Sequence, residues 1–146
     1  MRRDLKNNIG IVTLLEAADQ DHTDATSALL DTAEMPGAVL MVAIGALTGV
    51  DSSNYLTPIL QECDTTVGTS FTAVATGDIE GAFTKVDAGT EDSLVQYVGY
   101  KGGKRYVRVN LDYTGTGITA GVVGVYGIVG RAKEAPVTAP AAVSAT

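Results

Sequence analysis

The chain has 146 residues, enough for one domain with a real core and leaving little room for two. Its single cysteine, Cys63, excludes an internal disulfide, and 45% hydrophobic residues with only 5% aromatics favour short, small-residue strands over long helices. The net charge of −7 is uneven: residues 7–84 carry 11 acids and no Lys or Arg, while residues 85–133 carry seven basic and four acidic residues, which argues against nucleic-acid binding and permits head-to-tail contact between copies.

In chain order, Met1 to Lys6 is basic, but no apolar run follows it, so no signal peptide is expected. Residues 1–15 read as an N-terminal arm that can hold a short strand. Glu16 to Asp24 is polar and acidic and reads as a loop. A short alternating piece, Ser27 to Thr32, leads to a turn at Met35-Pro36-Gly37. Ala38 to Leu47 is apolar without alternation, which predicts a strand buried on both faces. Tyr55 to Asp64 reads as a strand, and Pro58 places it at an edge or a kink because proline donates no ladder hydrogen bond. Phe71 to Ala75 predicts a short strand. Thr76-Gly77-Asp78 can cap one helical turn through Phe83.

Leu94 to Tyr100 and Arg105 to Tyr113 are rich in β-branched and aromatic residues and flank Lys101-Gly102-Gly103-Lys104. The pattern predicts a β-hairpin with a two-residue primed turn. In that register Val98 faces Val107, Gly99 faces Tyr106, and Tyr97 faces Arg108 in a cross-strand cation–π contact. Val107, Val109, Leu111 and Tyr113 form the expected core face, with Arg108, Asn110 and Asp112 on the wetter one. Ala120 to Gly130 predicts a final strand. Gly121, Gly124, Gly127 and Gly130 recur every third position there, which points to close backbone approach or bulges. Glu134 to Thr146, rich in Ala and Pro, reads as an extended tail. The expected architecture is a single all-β domain over residues 16–133, a β-sandwich of about seven or eight short strands with jelly-roll or Greek-key connections. The two uncharged stretches, 35–50 and 113–130, read as buried strands, and no membrane span is expected.

No residue set points to catalysis. His22 stands alone in an acidic loop, without an orienting partner for a base. Glu62 and Asp64 flank Cys63 and are expected to raise its pKa, which fits a packing residue better than a nucleophile. Asp19, Asp21 and Asp24 lack the glycine and distal glutamate of a calcium loop, and no metal or other cofactor is expected. The pairs Glu62/Asp64 and Asp78/Glu80 are ordinary surface acids under this reading. Gly115-Thr116-Gly117 opens no nucleotide-binding fingerprint. The one basic cluster is Lys101, Lys104, Arg105 and Arg108, interleaved with Tyr97, Tyr100 and Tyr106, and it fits a contact patch for an acidic protein surface. Arg2, Arg3 and Lys6 join it as expected protein-interface residues on the arm.

Asp4-Leu5-Lys6-Asn7-Asn8-Ile9-Gly10, Leu60-Gln61-Glu62-Cys63-Asp64, Ser70-Phe71-Thr72-Ala73-Val74, Gly81-Ala82-Phe83 and the run from Tyr97 to Val109 together resemble a family of small structural proteins from tailed phages and prophages. The resemblance covers most of residues 4–130 and carries no catalytic motif. It implies a virion component, made in the bacterial cytoplasm and located on the capsid surface as a decoration or cement protein. The major capsid protein and neighbouring copies are its implied partners. Two other readings stay open: a head-tail or tail component, and a glycan-binding host-attachment module whose exposed tyrosines stack on sugar rings. The expectation is a non-enzymatic, homo-oligomeric structural protein.

Overall fold

A computed structural model describes residues 6–33, 35, 37–130 and 141–146. The chain is nearly all β, with ten strands in two antiparallel sheets and no α-helix among the described residues. No helix among them is long and apolar enough to cross a membrane.

Sheet A has the order β1 (Ile9–Asp19), β10 (Val122–Gly130), β4 (Gly37–Ile44), β8 (Leu94–Tyr100) and β7 (Ile79–Glu80). Sheet B runs β2 (Ala25–Thr26), β9 (Tyr106–Thr114), β5 (Tyr55–Cys63) and β6 (Thr72–Ala73), with β3 (Leu30–Asp31) also paired to β9. β4, β5 and β9 alternate in burial along their length, so each sheet commits one face to a shared core. Leu40 and Val42 of β4, Val98 of β8, Val123 and Val125 of β10, Leu56 and Leu60 of β5, and Val107, Val109 and Leu111 of β9 make up its centre. Two buried polar side chains are satisfied. The Gln96 amide exchanges hydrogen bonds of 2.7 and 3.0 Å with the Thr84 backbone, and Ser27 Oγ accepts the Val109 N–H at 3.0 Å.

The N-terminal expectation changes in extent. Ile9–Asp19 is one long strand in sheet A, so part of the predicted arm and part of the predicted Glu16–Asp24 loop belong to the sheet. Two register shifts, at Thr13/Leu15 and Leu15/Ala18, broke the periodicity that would have marked it. The first shift turns Leu14 into the core, where it is 4% exposed, and frees its carbonyl to accept the Ala28 N–H at 2.8 Å.

The predicted hairpin is overturned. β8 pairs with β4 and β7, whereas β9 pairs with β5, β2 and β3, so the two strands lie in different sheets. Gly102 and Gly103 are therefore not a primed turn, and neither has positive φ. The link is held by Tyr100 instead. Its hydroxyl donates to Glu62 Oε2 at 2.6 Å and accepts the Lys104 N–H at 2.9 Å. A Cβ on Gly102 would meet the Tyr100 ring at 2.6 Å, so the glycine serves close approach. Alternating apolar strands fit equally well side by side or face to face across a core, and here the core-facing arrangement prevails. The expected Tyr97–Arg108 contact disappears with the hairpin: the Arg108 guanidinium lies 4.2 Å from the Phe71 ring centre on sheet B.

Other expectations fare better. Pro58 pairs with Leu111 of β9, and its missing N–H falls on the outer side, where Leu56 and Leu60 bond Val86 and Val74 rather than a continuous strand. Gly124 and Gly127 are sites of close approach, because a Cβ on either would come within 3.0 Å of Ala17 or Val12. Thr76–Asp78 is a single 3-10 turn leading into β7, without a side-chain cap and without the predicted helical turn through Phe83.

Two core-facing tyrosines differ in a testable way. Tyr113 is 7% exposed and its hydroxyl has no hydrogen-bond partner among the described residues, and burial, then the charges of Asp21 and Asp24, push its pKa up to about 12. Replacing a buried, unpartnered hydroxyl with hydrogen costs little, whereas removing one that satisfies two others costs about 1–3 kcal/mol. Urea unfolding should therefore show Tyr113→Phe as stable as the parent or more so, and Tyr100→Phe clearly weaker; the reverse order would contradict this bonding.

Candidate functional site

The predicted basic patch is largely committed to the body of the protein. Lys104 Nζ pairs with Asp64 at 2.5 Å. Arg105 makes a forked contact with Asp31, with its closest N–O distance at 2.8 Å, and its guanidinium lies 5.0 Å from the Tyr106 ring centre. Arg108 donates to Gln61 Oε1 at 2.8 Å and to the Gly68 carbonyl at 3.1 Å. Lys101 is exposed and, among the described residues, forms no ion pair. Lys6 is exposed in the turn before β1, and Arg2 and Arg3 lie outside the described residues. The structure therefore brings Lys101, Lys104 and Arg105 together around a shallow cavity of about 360 Å³ that also touches Tyr100 and Met35, but two of the three cations are already neutralised there.

The candidate catalytic and metal residues are likewise occupied. Asp19 accepts the Gly121 N–H at 2.7 Å, Asp24 the Tyr113 N–H at 2.8 Å and Asp21 the Thr23 N–H at 3.0 Å. No cluster of metal ligands occurs among the described residues. His22 is exposed. Cys63 departs from expectation. The Thr65 hydroxyl and then the Thr65 N–H lower its pKa, and the opposing Asp64 charge is the smaller effect.

The most distinctive surface carries no sequence motif: it is the outer face of sheet A. Directly paired residues of a sheet share a face, so the register defines it. One row across the strands reads Ile11, Ile128, Val39 and Gly99, and ends on Glu80 of β7. The next reads Thr13, Tyr126, Met41 and Tyr97, and a third Gly124, Ala43 and Val95. The residues named on β1, β10, β4 and β8 in these rows include no charged side chain, and the acids of β1, Glu16 and Asp19, mark the end of the uncharged area near Gly124 and Val122. Of the five large apolar side chains most exposed, three lie on these rows, Tyr97 at 69%, Ile11 at 60% and Val95 at 55%, and a fourth, Val122 at 50%, borders them in a row where it pairs with the charged Asp19. With strands about 4.8 Å apart and about 3.4 Å per residue, the face covers on the order of 400 Å². That is within the size range of the largest apolar patch on a typical monomer, which is often functional.

This face also corrects the reading of Ala38–Leu47. The sequence predicts burial on both sides of that strand, but β4 alternates, with Val39, Met41 and Ala43 half-buried on the outer face. The signal that could have located the face is the coincidence of two uncharged stretches, 35–50 and 113–130, in strands that pair with each other. The outer face of sheet B differs in kind, with Thr57, Gln61, Arg108, Asn110 and Asp112 along β5 and β9.

No family model matches the chain, and no curated protein does. Among solved structures, the chain is similar to one described as Bacillus endospore appendages forming a family of disulfide-linked pili. Identity is 13%, coverage is 91% of this chain and 96% of that one, and the TM-score is 0.45. A crystal structure of a protein named FLHE is also similar, at 10% identity, 87% and 99% coverage and a TM-score of 0.33. Likenesses this distant assign no activity.

The Arg105–Asp31 pair yields a pH prediction. The Arg105 hydrogen bonds come first in holding the Asp31 carboxyl below its ordinary 3.8, with the Ala33 N–H assisting against partial burial. A carboxyl depressed in the folded state binds fewer protons than in the unfolded chain. Its stabilisation is complete above the ordinary value and is lost as pH falls through the lower, folded one. Urea unfolding at pH 7 and pH 3 should show a smaller acid loss in Asp31→Asn than in the parent; an equal loss would show that the pair is not linked to folding.

Proposed function

We propose that this protein is a structural assembly component that docks onto other protein surfaces through the outer face of sheet A. The single observation that carries this reading is the uncharged apolar face, with Ile11, Val95 and Tyr97 each more than half exposed. Apolar sheet faces of this extent are normally covered, because water contact costs about 25 cal/mol per Å². In this reading the two sheets form a β-sandwich with Greek-key or jelly-roll connections, which serves as a rigid spacer and holds no reactive centre.

The sequence resemblance supplies the setting: a tailed-phage particle, with the protein as a capsid decoration component bound to the major capsid protein and to neighbouring copies. A face of about 400 Å² is roughly half of what one partner contributes to a standard stable interface, so a single contact is weak. Many copies on a symmetric lattice overcome that weakness by avidity. A head-tail position would use the same face. Tyr97, at 69% exposure, also fits stacking on a sugar ring, so saturable binding in a glycan titration would favour a host-attachment role instead.

Lysine substitutions at Tyr97 and Ile11 place charge on the face without touching the core. Each should lower particle occupancy or self-association by about tenfold or more, consistent with loss of an anchoring contact, while the unfolding midpoint changes little. Unchanged occupancy in the double variant would reject the face as the docking surface. Lys101→Glu, which breaks no ion pair among the described residues, tests the link between β8 and β9 separately, and reduced occupancy there would extend the interface to that end.

A further inference from the structure

Residues 141–146 return to the body and occupy a defined seat on the side opposite sheet A. The Leu29 N–H donates to the Val143 carbonyl at 2.7 Å, and the Val143 N–H donates back to Leu29 at 3.0 Å. Three residues on, the Thr146 N–H donates to the Thr66 carbonyl at 2.8 Å, and the Gly68 N–H donates to Thr146 O at 2.9 Å. Val143 packs against a second apolar cluster of Leu29, Cys63 and Phe71, flanked by Tyr106 and separate from the main core. Leu29 is fully buried there, although its neighbour Leu30 points into the main core. The segment completes the outer side of sheet B.

Three features make this seat exchangeable. It engages the segment through backbone bonds, one valine and the Thr146 hydroxyl, which lies 3.2 Å from the Thr66 hydroxyl, and this short strand addition does not depend on which copy supplies the strand. Few bonds hold it, and Ala141, Ala142, Ser144, Ala145 and Thr146 are exposed, so it belongs to the parts of a fold that open at low cost. Its covalent root, Gly130, lies in sheet A, and the ten intervening residues, 131–140, can span about 33–36 Å, enough to reach a neighbour placed alongside.

We propose that residues 141–146 of one copy occupy the Leu29–Cys63–Phe71 seat of a second copy when copies are crowded, linking them by tail exchange. The proposal extends the assembly reading but uses a different surface from sheet A. A short tether gives the chain's own segment a millimolar effective concentration. The segment therefore docks on its own body in dilute solution, and exchange sets in when copies are held together or concentrated to that range. Exchange of an identical element creates no new contact type, which keeps its energetic cost low.

Val143→Cys brings a second thiol to the cluster that contains Cys63. Diamide, as the added oxidant, takes two electrons and two protons from the thiol pair to form the disulfide. At about 1 µM the product should be a cross-linked monomer on a non-reducing gel, and at about 1 mM a ladder of covalent multimers should rise at least tenfold. Cross-linked monomer alone at both concentrations would overturn exchange. Should Val143→Cys fold poorly, deletion of residues 141–146 decides: Cys63 should react faster with a thiol reagent and be protected again by millimolar full-length Cys63→Ser chain. An unaltered Cys63 rate, or no renewed protection, would overturn the proposal. If no ladder forms while Tyr97→Lys still lowers association, exchange fails and the sheet A reading stands.

Discussion

A β-strand sends successive side chains to opposite faces, and β4 and β10 carry apolar or small residues at both sets of positions. The core takes one set: Leu40, Val42, Val123 and Val125. The other set, with Val39, Met41, Tyr126 and Ile128, has no place inside, because sheet B already fills the only core that these strands can share. The chain therefore satisfies its main hydrophobic demand and still presents an uncharged surface. That residue of unmet burial is the physical basis for reading the molecule as an assembly part.

The rest of the surface has been managed differently. Lys104, Arg105 and Arg108 are tied to Asp64, Asp31 and Gln61, so charges that would steer a partner are spent on joining loops to strands. Asp19, Asp24 and Asp51 accept the backbone N–H groups of Gly121, Tyr113 and Ser53. On sheet B, the apolar cluster of Leu29, Cys63 and Phe71 is covered by Val143 from the C-terminal segment. Two apolar sites outside the main core thus have opposite fates: one is capped by the chain itself and the other is left open across four strands.

Much of this was legible in the sequence. The strands Tyr55–Cys63 and Val122–Gly130, the core face of β9, the edge role of Pro58 and the close approaches at Gly124 and Gly127 follow from alternation, proline chemistry and glycine spacing. Partnership was not legible. Leu94–Tyr100 and Arg105–Tyr113 have the composition of a hairpin, and only long-range pairing with β4 and β5 separates them into two sheets. Bulges hid β1, because a register shift reverses the inside-outside pattern that periodicity relies on. The apolar face was half visible: the lack of charge in residues 35–50 and 113–130 was plain, but a fully apolar run looks the same whether its second face is buried in the molecule or against a partner.

Hydroxyl-radical footprinting of the free chain and of the assembled state, read by mass spectrometry, tests the central claim most directly. Tyr97 and Met41 stand on the open face, whereas Tyr55 lies on sheet B. The account predicts that assembly shields Tyr97 and Met41 from oxidation several-fold and leaves Tyr55 as reactive as before. Equal oxidation of Tyr97 and Met41 in the two states would contradict it.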